Sequence, residues 1–296
     1  MPASEYILSM FITIHGTSSV GNSAMKTWLE GLHLWHTIND APWHGSRLLK
    51  CTLKGATKAA PLSSRQAKRD LVTIERLRAL HHHLDLTNTF DIAVFTLACI
   101  TFWSCCHLGE LLIDSSFDPR AHIAHSTKIA RGVATNSTRF INFMVPCTKT
   151  ESDGTQINMS DSACECSATT AFEHHLSSNT LIPSTAPLFA FKTSNSSWAP
   201  MKRTWFLDRC NEVWAKEGLT SVKGHGFRIG GTTHLLLLGV DPWVVMTQGR
   251  WSSQSFLGYW RRCEEILALF IGFSFQSHES ILSTMSTFKS KLIQKS

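Results

Sequence analysis

The sequence predicts a mainly α-helical chain carrying one small β-sheet, an α+β fold built in two parts. Apolar residues recur at helical spacing through most of its 296 residues. Two stretches alternate as strands do, Phe140–Val145 and Gln156–Met159, on either side of a Ser152-Asp153-Gly154 turn. A polar, basic stretch, Pro61–Arg69, interrupts the periodicity. It divides a helical unit (residues 1–62) from a mixed α+β unit (70–296), with 63–69 as linker.

Each element has a local reason. Met25–Trp35 places apolar residues on one helical face, and Ser46 can cap a helix running to Ala59. On that helix Arg47, Lys50, Lys54 and Lys58 fall within about 80° at ~100° per residue, opposite Leu49, Leu53 and Ala56. One face can therefore pack while the other meets anions. Arg65, Lys68 and Arg69 continue the basic run, and residues 41–69 contain no acidic residue. A solvated helix face followed by a charged linker would look the same. Thr73 caps a helix to about Leu84, and an apolar run over 91–113 predicts one long buried helix. Further helices are predicted over 165–177, 203–217, 229–238, 242–248 and 254–270. Gly239 ends one of these, Asp241 and Pro242 start the next, and Ser252 or Ser253 can cap the last.

Composition narrows the function. Hydrophobic residues at 43% and charged residues at 17% are globular proportions rather than those of disorder. The net charge of +6 suits a polyanionic partner. Nine cysteines, an odd number with several inside apolar runs, suggest buried thiols in a reducing compartment rather than a secreted disulfide scaffold. No Lys or Arg precedes the apolar stretch Tyr6–Ile14, so a signal peptide is not expected. His107, Gly109 and Glu110 interrupt the apolar run at 93–113, so no membrane span is expected there.

The informative stretch is 224–262, GHGFRIGGTTHLLLLGVDPWVVMTQGRWSSQSFLGYWRR. His225 and Arg228 form an H-x-x-R element just before a helix, where free N–H groups and the positive dipole end favour a phosphate. Trp251 follows a Gly-Arg pair. Tyr259 is one of two tyrosines against 17 Phe and 10 Trp, so its hydroxyl invites a chemical role.

In this order and spacing the set resembles the tyrosine recombinase (phage-integrase) family. That family's signature is an arginine in an R-x-x-E helix, a hairpin lysine, H-x-x-R, His or Trp, and a nucleophilic tyrosine. His225, Arg228, Trp251 and Tyr259 match its later members, and Lys149 in Cys147-Thr148-Lys149-Thr150 sits just after a strand, where the lysine belongs. DAPWHGSRLLKCTLKGA, FDPRAH and GRWSSQSFLGYWRR are most similar to members encoded by mobile elements of fungi, which implies nuclear action. The pattern is broken in TFWSCCHLGELL (Thr101–Leu112), where His107 stands in place of the first arginine while Glu110 keeps the acidic partner. The helical N-terminal unit resembles the family's core-binding domain with an opening helix or two missing.

The resemblance implies that Tyr259 attacks a DNA phosphodiester, giving a 3′-phosphotyrosyl link and a free 5′ hydroxyl with no metal or cofactor. A phenol titrates near ~10 in water, so the hydroxyl must lose its proton during attack, with His225 as general base. Lys149 would protonate the leaving oxygen, Arg228 would hold non-bridging oxygens, and Trp251 would pack beside the phosphate. Histidine at 107 lacks the guanidinium fork and is mostly neutral at pH 7. Loss of one transition-state donor costs on the order of 3–4 kcal/mol, ~10²–10³ in rate; a nearby Glu110 could restore part by raising the histidine pKa. A remnant that binds DNA without cutting it is the first alternative.

The implied partner is double-stranded DNA gripped between the two units, with homo-oligomers on paired sites and no membrane or small-molecule substrate. The apolar segment Ile266–Phe275 could dock on a neighbouring subunit or pack on its own. An alternative of another class is a metal-binding interaction protein, built from Cys164-Glu165-Cys166, Cys105-Cys106-His107 and His81-His82-His83. Those spacings lack the paired C-x-x-C of strong zinc sites, so no metal is expected.

Overall fold

The computed structural model describes residues 2–16, 20–64, 69–114, 116–148, 151, 153–193 and 197–275. The chain divides into two compact units, Met1–Lys68 and Arg69–Ser296.

The first unit is helical. α1 (Glu5–Gly16), α2 (Asn22–Ile38) and α3 (Arg47–Ala59) pack Leu8, Ile12, Met25, Leu29, Leu49 and Ala56 into a small core. The predicted Ser46 cap takes a different form, because the Ser46 side chain does not bond its own helix. The Glu5 carboxylate accepts from the backbone N–H groups of Ser46 (2.8 Å) and Leu49 (3.1 Å) and from the Ser46 hydroxyl (2.7 Å). A negative group at the positive end of α3 thus ties α1 to it. Arg47, Lys50, Lys54 and Lys58 are all exposed, opposite buried Leu49 and Ala56. None of the four makes an ion pair among the described residues. Arg65 and Lys68 lie outside the described residues; Arg69 is exposed at the start of the second unit.

The second unit is built around α5 (Thr89–Trp103), whose residues 91–102 are all buried. An all-round apolar helix is the expected centre of a larger core. α4 (Ile74–His83), α7 (Ala168–Ser178), α8 (Arg203–Lys216) and α9 (His225–Leu237) surround it. The Thr73 side chain caps α4 as predicted, accepting from Arg76 N–H. The single helix expected over 91–113 is broken. α5 ends at Trp103, and a four-residue helix, α6 (Leu108–Leu111), follows. Cys105 turns left-handed between them (φ 47) and its carbonyl accepts from Arg228 rather than continuing the helical ladder. The Ser104 hydroxyl meanwhile donates to the Asn158 carbonyl at 2.8 Å.

One antiparallel sheet, in the order β1 (Ile129–Val133), β2 (Arg139–Val145), β3 (Thr155–Ser160), covers one side. Phe143 pairs with Ile157 and Ile141 with Met159, which puts all four, with Val145, in the core. The turn before β3 uses Gly154 at φ 82, where a Cβ would meet the Val145 carbonyl oxygen at 2.5 Å. β1 has no counterpart in the sequence expectation. Its IARGV alternates poorly and only Ile129 and Gly132 are half-buried. Two two-residue strands, Phe191–Lys192 and Trp198–Ala199, form a separate pair.

At the end of the unit, α10 (Pro242–Gln248) starts as predicted, with the Asp241 side chain accepting from Trp243 N–H and Pro242 in the first turn. The helix predicted over 254–270 is instead a 3₁₀ segment, Gln254–Tyr259, followed by α11 (263–275). Arg262 at φ 52 separates them. Within Ile266–Phe275, Ile266 is buried against α9 and α10 residues, while Leu267, Ile271, Phe273 and Phe275 are exposed. Among the described residues no helix is long and apolar enough to cross a membrane.

Candidate active site

Two glycines set the position of α9. A Cβ on Gly230 would stand 1.8 Å from the Val72 carbonyl oxygen, and one on Gly231 1.8 Å from that of Phe102. Only a bare backbone lets α9 lie this close to α5 and to the segment before α4. The helix begins at His225 rather than at 229, so His225 and Arg228 occupy its first turn, three residues apart on one face.

Arg228 is buried, 4% exposed. Its Nη1 donates to the Cys105 carbonyl and its Nη2 to the Gly249 carbonyl at 2.8 Å. The Trp251 ring lies over the guanidinium, its centroid 3.8 Å from the guanidinium carbon, and the Tyr259 centroid lies 5.3 Å away on the same measure. A desolvated cation over an indole is worth ~2 kcal/mol or more. Burial lowers the Arg228 pKa from the ordinary guanidinium value. Its Nε has no hydrogen-bond partner among the described residues, a buried donor with capacity for an acceptor.

Tyr259 ends the 3₁₀ segment that Ser253 caps. Its hydroxyl lies 3.0 Å from His225 Nε2, the rings stacked at 5.6 Å, and its ring is 4.9 Å from Trp251. In the Nδ1–H tautomer of His225 the hydroxyl donates to Nε2, the arrangement a general base needs. Burial first, then the guanidinium groups of Arg69, Arg228 and Arg203, lowers the His225 pKa, which favours the unprotonated imidazole.

His107 joins this group, its ring 5.2 Å from that of His225. Burial, followed by Arg228, His225, Arg250 and Arg203, pushes its pKa down to about 3. The expectation that Glu110 would raise it is therefore overturned. The Glu110 carboxylate accepts from the His107 backbone N–H at 3.2 Å and forms an ion pair with Arg250 at 2.5 Å. Its charge goes to Arg250, and His107 is neutral.

A polar cavity of about 630 Å³ brings these groups to one wall-set: His107, Glu110, Arg228, Arg250, Trp251 and Tyr259, with Thr148, Glu151 and three serines. Lys149 lies outside the described residues, between Thr148 and Glu151, which line the cavity. Arg250 and the glycine pair are the residues that sequence reading missed. The signal for Arg250 was its place between Gly249 and Trp251.

The other sequence candidates are elsewhere. All nine cysteines are free. His81 Nδ1 and His82 Nε2 both approach the Glu165 carboxylate, at 3.7 and 3.6 Å, although they are consecutive on α4. The ligand atoms of these three side chains all lie within 4.8 Å of one another. Arg78 also pairs with Glu165, at 3.4 Å.

The sequence matches no family model, and no curated protein matches it significantly. Solved structures do match. The XerH site-specific recombinase bound to palindromic difH substrate aligns over 95% of this chain and 73% of its own, with a TM-score of 0.52 at 11% identity. The Tn1549 transposon integrase in complex with circular intermediate DNA aligns over 88% of this chain and 82% of its own, with a TM-score of 0.50 at 15% identity. The FLP recombinase–Holliday junction complex aligns over 70% of this chain and 58% of its own, with a TM-score of 0.41 at 14% identity. The chain spans 42% to 58% of the length of the Flp proteins it matches. The chain has an α+β fold like that of the XerH site-specific recombinase.

Proposed function

We propose that this chain binds double-stranded DNA and carries out site-specific breakage and rejoining through Tyr259. The observation that carries the reading is the hydroxyl of Tyr259 held 3.0 Å from His225 Nε2 beside the buried Arg228. The Tyr259 oxygen bonds to phosphorus, its proton passes to His225 Nε2, and the bond to the 5′ oxygen breaks. That oxygen takes a proton from Lys149. Arg228, held under Trp251, lines the cavity and supplies its positive charge to the non-bridging oxygens. No metal or cofactor takes part, because the phosphodiester energy is kept in the phosphotyrosyl link.

Neutral His107 brings no charge to the phosphate, so cleavage is slower than in a site with a guanidinium at that position. Arg47, Lys50, Lys54, Lys58, Arg65, Lys68 and Arg69 contact DNA phosphates and make binding salt-dependent. The partners are duplex DNA and further copies of the chain on paired sites. The segments DAPWHGSRLLKCTLKGA and GRWSSQSFLGYWRR support an origin in a fungal mobile element, acting in the nucleus.

The test is a nicked suicide duplex, selected from a randomised pool by binding to the natural chain. A covalent protein–DNA adduct that Tyr259→Phe abolishes is expected. The second reading, a remnant that binds DNA without cutting it, is favoured by the low pKa of His107. Retained binding with no adduct would select it.

A further inference from the structure

Residues 249–251 form a tight corner. Gly249 has no Cβ, and one would stand 1.7 Å from the Trp251 ring, so the ring can fold back over its own backbone onto Arg228. Arg250 sits between them at φ 58, the left-handed region that Gly or Asn usually fills. Arginine in that conformation is strained, and such strain persists where the surroundings hold it in place. The left-handed turn sends the side chain across the cavity to Glu110, the residue that keeps the acidic half of R-x-x-E. The pair is largely buried, its side chains 18% and 12% exposed. The same corner presents the Gly249 carbonyl to Arg228. Two guanidinium groups from different elements thus line one cavity with His107 and Tyr259.

We infer that Arg250 is a catalytic residue, supplying to the scissile phosphate the second guanidinium that position 107 lacks. Glu110 orients it, taking one Nη2 hydrogen, while Nη1 reaches the Gln248 carbonyl at 3.3 Å. A guanidinium has five N–H donors, so others remain for a non-bridging oxygen. Arg250 makes and breaks no bond. It neutralises charge as the Tyr259 oxygen joins phosphorus. The role rests on the phosphoryl transfer proposed above. It also means that His107→Arg gains less than about tenfold, well short of the ~10²–10³ a missing donor would return.

The experiment compares the natural chain, Arg250→Gly and Arg250→Lys on two nicked duplexes, one with the ordinary scissile phosphate and one with a neutral methylphosphonate. The neutral substrate carries no oxyanion charge for a second guanidinium to balance. Glycine relieves the left-handed backbone, and lysine keeps the charge facing Glu110, so a melting curve of each shows a folded chain. Arg250→Gly is expected to lose about 100-fold or more of adduct formation on the phosphate and under about tenfold on the methylphosphonate. Arg250→Lys is expected to fall between the natural chain and Arg250→Gly. Equal losses on both substrates, or none on either, would overturn the role of Arg250 and leave the recombinase reading standing. No adduct from the natural chain or from His107→Arg would overturn both.

Discussion

The hydroxyl of Tyr259 and the Nε2 of His225 lie 3.0 Å apart, with their rings stacked. Thirty-four residues of sequence separate them, and three devices close the gap. Gly230 and Gly231 seat α9, the Gly249–Trp251 corner turns the chain over Arg228, and Ser253 caps the segment that ends at Tyr259.

A neutral His225 is the working form of the base, and burial lowers its pKa below the usual histidine value. Cleavage should therefore hold its rate through neutral pH and decline only below about 6.5. His225→Ala should remove that acid limb and lower the rate by about 100-fold. A pH–rate profile of adduct formation checks this. An acid limb above pH 7 would assign the base elsewhere.

The glycine pair predicts a stability effect. Gly231→Ala places a methyl against the Phe102 carbonyl, and the backbone there belongs to the central helix. Overpacking of this kind costs about 3 kcal/mol. Chemical denaturation measures it, and adduct formation should fall in parallel because α9 carries both His225 and Arg228. A variant as stable as the natural chain would mean that α9 has room to shift.

Acid should destabilise the second unit through His175. The ring is fully buried, its Nε2–H donates to the Leu188 carbonyl and its Nδ1 accepts from the Asn179 amide, and burial lowers its pKa to about 4. The unfolded chain takes up the proton near pH ~6.5 while the folded one resists it. Stability is therefore constant above that pH and falls between ~6.5 and about 4, by ~3 kcal/mol for this residue. Denaturation between pH 4 and 7 should show a shallower decline for His175→Gln, whose side chain does not titrate. An unchanged slope would place the acid sensitivity in other groups.

The basic face of α3 predicts a salt effect rather than a stability effect. Lys50 and Lys54 are exposed and face away from Leu49 and Ala56. Replacing both by Gln should leave the melting temperature unchanged and weaken binding to unrelated duplexes equally. It should also flatten the plot of log K against log salt by about 2, near 0.9 per phosphate contact. A slope unaltered by the double substitution would remove this face from the DNA contact.

Much of the arrangement is legible in the sequence wherever a residue's role is set by its neighbours in the chain. Thr73 and Asp241 announce helix starts, β2 and β3 show in their alternation, and the H-x-x-R and GRW elements mark the region of the cavity. Other features depend on contacts made far along the chain. α5 stops at Trp103 because the Cys105 carbonyl turns to Arg228, 123 residues later. The Glu5 cap on α3 joins residues 41 apart. The left-handed Arg250 and its pairing with Glu110 across 140 residues have no local signature. β1 is half-exposed, so it lacks the pattern of a buried strand.

The most direct measurement is peptide mapping of the trapped adduct by mass spectrometry, after digestion of both the protein and the DNA. A single phosphotyrosyl peptide is predicted, linked through Tyr259 to the 3′ end of the cleaved strand. A link at another residue, or to a 5′ end, would contradict the assignment of Tyr259 as the nucleophile.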